Sequence, residues 1–93
     1  MRRALIGHLQ MAFSRVDPTG SGSAPTEPLV RALRTLLASQ TTNNQRINKG
    51  WTGLLRQLVR ILDIKIGDAG YGAVDNLATG WEELLSLAAE AQC

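Results

Sequence analysis

The sequence predicts an all-α domain, a small bundle of three to four amphipathic helices, on three observations. Apolar residues recur at three- and four-residue spacing in four separate stretches, glycine and proline cluster between those stretches, and 93 residues fit one domain. A chain this short buries only around two-thirds or less of its unfolded surface. With two Trp, one Tyr and one Phe, most of the core must come from Leu, Ile, Val and Ala, and dimerisation is one way to complete it.

The first helix is expected over 3–16, where Leu5, Leu9, Ala12, Phe13 and Val16 share a face. Asp17-Pro18 ends it. Residues 17–26, rich in Gly, Ser and Pro, read as a flexible linker. A second helix over 27–39 follows, with Thr26 as its cap and Glu27-Pro28 in its first turn, where an acid meets the helix dipole and proline loses no needed hydrogen bond. Leu29, Val30, Leu33, Leu36 and Leu37 form its apolar face, and Thr41-Thr42-Asn43-Asn44 reads as a polar connector.

The third helix, expected over 45–63, has the strongest pattern. Ile47, Trp51, Leu54, Leu58 and Ile61 form one stripe, widened by Leu55 and Leu62, and Arg46, Lys49, Arg56 and Arg60 fall opposite. Lys65 would return to the apolar side, which sets the end near Asp63. The glycine-rich stretch from Ile64 to Gly72 reads as a loop. The last helix is expected over 73–90, with Val74, Leu77, Trp81, Leu84 and Ala88 inward and Asp75, Thr79, Glu82, Glu83, Ser86 and Glu90 outward. Gly50-Trp51-x-x-Leu54-Leu55 and Gly80-Trp81-x-x-Leu84-Leu85 share a local pattern, and a glycine beside each tryptophan suggests a close helix crossing. Core or interface positions are therefore Trp51, Leu54, Leu58, Trp81 and Leu84.

Charge is split along the chain. All ten basic residues lie within 1–65 against Asp17, Glu27 and Asp63, whereas 66–93 carries Asp68, Asp75, Glu82, Glu83 and Glu90 with no Lys or Arg. The apolar runs fall far short of the eighteen or so residues of a membrane span, so a soluble protein without a membrane partner is expected, with the cytoplasm favoured.

Inventory argues against catalysis. With one His and one Cys, Cys93, a Cys/His or Ser/His/Asp constellation would need His8, which reads as a helix-surface residue, to find partners from a distant loop. A zinc site lacks ligands and no disulfide can form within the chain. Asp63 to Asp75 lacks the alternating ligands of an EF-hand calcium loop. Gly67-x-x-Gly70-x-Gly72 matches neither a Walker nor a dinucleotide fingerprint. No enzyme activity, cofactor, metal or small-molecule substrate is expected.

Ala69-Gly70-Tyr71-Gly72 resembles the turn of the helix-hairpin-helix DNA-binding motif, which implies a backbone phosphate contact there. It departs from that motif in having Asn76 and an acidic helix afterwards. Trp51-Thr52-Gly53 with Tyr71-x-x-x-Asp75 resembles the WXG family of small secreted helical hairpins, although Trp51 continues an amphipathic stripe instead of marking a turn.

Two functions are expected from the faces. The first is a helical interaction module that self-associates or docks on a protein partner, using apolar and charge-complementary helix faces. The alternative is a sequence-nonspecific duplex RNA or DNA backbone binder, acting through Arg46, Lys49, Arg56 and Arg60 and extended by Arg31 and Arg34. The four cations on the third helix, Arg46 to Arg60, would span roughly 21 Å.

Overall fold

The computed structural model describes residues 3–43 and 50–92. Four α-helices are present: α1 (Arg3–Val16), α2 (Thr26–Asn43), α3 (Gly50–Ala69) and α4 (Trp81–Ala91). Strand β1 (Ser23–Pro25) lies between α1 and α2. A 3-10 turn (Tyr71–Asn76) and strand β2 (Ala78–Gly80) lie between α3 and α4. The chain is an all-α domain with one small two-stranded sheet.

The core sits where the apolar stripes of all four helices converge. Leu5, Leu9, Leu29, Leu33, Leu55, Leu58, Leu62 and Leu84 are fully buried, with Phe13, Trp51 and Leu54 beside them. Trp81 is half-buried against this core, its ring 5.5 Å from that of Phe13 in an edge-on arrangement.

Several boundaries differ from the sequence expectation. Helix α2 continues past residue 39 through Thr41, Thr42 and Asn43, which the polar-connector reading left outside it. The expected start of the third helix, at 45–49, lies outside the described residues, as do Asn44, Ile47, Arg2 and Cys93. At its far end α3 continues six residues past Asp63. The physical reason is Lys65, whose return to the inner side is tolerated because its ammonium finds oxygen partners on β2 and α4. Gly70, at φ +80, then follows the last residue of α3, a left-handed position that suits glycine at a helix end.

The expected helix over 73–90 is also corrected. Only 81–91 is α-helical, and Thr79, expected to face outward, is fully buried on β2. The strand is set by pairing with β1, which helical periodicity does not register. The pairing is antiparallel, with Ser23 opposite Gly80, Ala24 opposite Thr79 and Pro25 opposite Ala78. Two flanking bonds extend it symmetrically: the Thr26 N–H donates to the Leu77 carbonyl at 2.9 Å and the Trp81 N–H donates to the Gly22 carbonyl at 3.0 Å.

These bonds define a pseudo-two-fold axis through Ala24 and Thr79. It relates Gly22 to Leu77 and Thr26 to Trp81, and hence the α1–loop–α2 unit to the α3–loop–α4 unit. The Gly-Trp pattern at residues 50 and 80 is therefore not the internal repeat, since Trp51 opens α3 and Trp81 opens α4. Nor does Gly80 mark a helix crossing: its close neighbour is the Gly22 carbonyl of the opposite loop, 3.6 Å from where a Cβ would stand.

Thr26, expected as a helix cap, spends its hydroxyl on Thr79 instead. The two buried Oγ1 atoms lie 2.8 Å apart. Replacing Thr79 with valine leaves the Thr26 hydroxyl buried without a partner, and the expected loss is about 1–3 kcal/mol by chemical denaturation. Thr26→Val combined with Thr79→Val should lose less than the two single changes summed, because both polar groups are gone. Strict additivity would contradict the pairing.

Candidate functional site

Of residues 17–26, which read from the sequence as a flexible linker, 17–22 form a turn organised by Asp17, 23–25 form β1 and Thr26 opens α2. The Asp17 carboxylate accepts from the Ser21 N–H at 3.2 Å and the Ser21 hydroxyl at 2.7 Å. It also accepts from the Thr19 hydroxyl at 3.4 Å and, through its other oxygen, from the Gly22 N–H at 2.8 Å. Gly20 and Gly22 hold positive φ, +72 and +89, which is why glycine occupies both positions.

The Ser21 hydroxyl foremost, then the Gly22 and Ser21 backbone N–H groups, hold the Asp17 carboxyl below its ordinary value against the opposing effect of burial. A lowered folded-state value contributes stability that is complete above the ordinary carboxylate pKa of about 3.9 and is lost as pH falls through the folded value. The Ser21 and Gly22 amide resonances should therefore stay fixed from pH 8 to 5 and move only in acid below about 4. Movement near neutrality would contradict this hydrogen-bond set.

Counted from Asp17, the turn has the spacing of a twelve-residue calcium loop in its first half only. Asp17 stands at position 1, Thr19 at 3, Ser21 at 5, Gly22 at 6 and the Ser23 carbonyl at 7, but Pro25 stands at 9 and Pro28 at 12, where a bidentate glutamate belongs. The sequence signal for this loop is Asp17 with Gly22 five residues later between two amphipathic helices, a spacing that the Asp63 to Asp75 stretch lacks. One carboxylate, already taken up by four hydrogen bonds, is a poor donor set for a divalent cation. Among the described residues no group of three or more His, Cys, Asp or Glu could hold a metal ion.

The expected basic site lies only in part within the described residues. Arg46 and Lys49 lie outside the described residues. Arg56 and Arg60 are exposed on α3, one turn apart, and neither joins an ion pair among the described residues. Arg34 pairs with Asp63 of α3, and Arg31 stands 4.0 Å from Glu27 on its own helix. Both pairs are largely exposed, so each contributes little to stability. Within the chain, α3 and α4 are joined by an ion pair between Lys65, which is not on the expected basic face, and Glu83, 2.8 Å apart.

The helix-hairpin-helix resemblance does not keep its geometry. After Ala69-Gly70 comes a 3-10 turn and a strand before α4, so no second helix follows as a helix-hairpin-helix turn requires. Trp51-Thr52-Gly53 lies in the first turn of α3, with Trp51 buried in the core, and the residues before it, 44–49, lie outside the described residues.

A groove the sequence reading did not single out runs between α1 and α2, with a volume of about 330 Å³. Its walls are His8, Met11, Ala12 and Arg15 from α1 and Ala32, Thr35, Leu36 and Ser39 from α2. Each set follows i, i+3, i+4, i+7 spacing, so each helix offers one continuous stripe. Met11 is 61% exposed, and Arg15 is exposed at the rim. His8, expected on the helix surface, is half-buried with its ring 4.9 Å from that of Trp51, which ties the groove to the core. The signal available in the sequence was Met11, an apolar residue one position off the inner stripe of α1.

No known protein family, curated protein or solved structure matches the chain. Among the described residues no helix is long and apolar enough to cross a membrane.

Proposed function

We propose that this chain is a non-enzymatic docking module, two helix–loop–helix units paired on the EF-hand plan, whose loops are closed by the chain's own hydrogen bonds and whose α1–α2 groove receives an amphipathic helix of a protein partner. The observation that carries the reading is the groove itself, apolar along its floor through Met11, Ala12, Ala32 and Leu36, with Met11 left in solvent. Helix-in-groove recognition uses apolar anchors at this same i, i+3, i+4, i+7 spacing. Methionine suits such a surface because its unbranched, polarisable side chain adapts to different anchors. Arg15 at the rim favours an acidic residue on the incoming helix.

The test is selection of helical peptides from a displayed library, followed by amide-shift mapping on the labelled protein with EDTA present. Shifts centred on residues 8–15 and 32–39 are expected. Selected peptides that map elsewhere, or none selected, would contradict the reading. Sedimentation over a range of concentrations separates the two sources of the helix, since a dimer abolished by Met11→Asp would make the occupant a second copy.

A second reading, nucleic-acid backbone binding, has the support of Arg56 and Arg60 alone among the described residues. Phosphate contacts from Arg56 and Arg60 would contribute about −2 to the salt slope. Arg56→Glu with Arg60→Glu should abolish any shift of duplex RNA or DNA at low salt, and undiminished binding would exclude that face.

A further inference from the structure

Three oxygens of three different kinds converge on the Lys65 ammonium. The Ala78 carbonyl lies 3.0 Å from Nζ, the Thr79 hydroxyl oxygen 3.2 Å and the Glu83 carboxylate 2.8 Å. A lysine ammonium has three N–H donors and no acceptor, so donors and acceptors match one to one. The side chain is only 25% exposed.

The pseudo-two-fold gives these oxygens a meaning. Because Ala24, eighth from Asp17, pairs with Thr79, the second loop counts from Gly72, which makes Ala78 its seventh residue and Glu83 its twelfth. Those are the positions from which a calcium loop offers a backbone carbonyl and a carboxylate. Gly72 and Val74, at positions 1 and 3, bring no ligand, so beside these two groups the loop keeps only Asn76, at position 5, of the other side-chain ligand positions.

We propose that this pocket is an ammonium site, that the chain fills it with its own Lys65, and that the pocket emptied of that side chain binds a primary alkylammonium ion. The tethered cation joins α3 to β2 and to the first turn of α4, and through Thr79 to the buried hydroxyl of Thr26 on α2. The second loop is thereby held in its closed form whatever the level of free cations. Arginine does not substitute, since a planar guanidinium cannot place its N–H groups on three oxygens arranged around a single nitrogen.

The experiment is chemical rescue of Lys65→Ala in the full chain, read by melting temperature and by the Thr79 and Gly80 amide resonances. The variant should lose roughly 4–8 °C. Methylammonium chloride should restore part of that loss saturably and move both amides, whereas tetramethylammonium chloride at equal ionic strength, having no N–H donor, should do neither. Lys65→Arg should melt below the parent protein. Equal rescue by both salts, rescue by CaCl2 and not by methylammonium, or no loss on substitution would each overturn the proposal. If Lys65→Ala is unfolded without added cation, folding on addition of methylammonium supports the site and continued absence of folding counts against it.

Discussion

Replacing Trp51 with alanine is expected to destabilise the domain by about 3–5 kcal/mol, the largest loss from any single substitution considered for this chain. Trp51 is 5% exposed at the start of α3, surrounded by core leucines, and its ring meets that of His8. Truncation removes that burial and leaves a cavity which the flanking helices close only in part. Against a total stability of about 5–15 kcal/mol for a native domain, the variant should be partly unfolded at moderate temperature. Trp81→Ala should be milder, because that ring is half-buried and rests on Phe13 at the edge of the core. Chemical denaturation of the two variants side by side checks this. A larger loss at Trp81 than at Trp51 would contradict the packing.

Met11→Asp is expected to weaken partner-helix binding tenfold or more, a free-energy change of about 1.4 kcal/mol or above, while leaving the melting temperature nearly unchanged. The separation follows from exposure. Met11 is 61% accessible, so a carboxylate there costs the folded chain little, but a docked helix would have to desolvate it against an apolar face. Leu36→Asp on the opposite wall should show the same loss of binding with more loss of stability, since Leu36 is half-buried against the core. Titration of the selected peptide into each variant by calorimetry provides the numbers. Undiminished affinity in Met11→Asp would remove the groove from the interface.

The helices were legible because burial writes itself into spacing. The stripe Leu5, Leu9, Ala12, Phe13 and the stripe Leu54, Leu55, Leu58, Leu62 lie inward as periodicity requires. What was not legible came from pairing between distant residues. Thr79 reads as an outward helical position until β2 meets β1, and no local pattern signals that Ala24 lies opposite it. Lys65 argued for an early end to α3 because a cation on an apolar side is costly unless partnered, and its partners lie 13 to 18 residues further on.

Of the basic stripe, Arg56 and Arg60 are exposed on α3, and Arg46 and Lys49 lie outside the described residues. Arg34 is drawn to Asp63, a residue 29 positions away, which no local pattern signals. The Asp17 turn could have been read directly from the spacing of Asp17, Thr19, Ser21 and Gly22. Its glycine, serine and proline content gave the linker reading instead, although that composition also suits a turn closed on one carboxylate.

The claim on which most rests is that both loops are closed without a free cation, the first on Asp17 and the second on Lys65. Thermal unfolding in EDTA and in millimolar CaCl2, each with and without the selected helix, tests it most directly. The expected result is the same melting temperature in both buffers and the same increment from the helix. A saturable rise with calcium, or peptide binding that appears only when calcium is present, would mean that the loops need a cation to hold the groove.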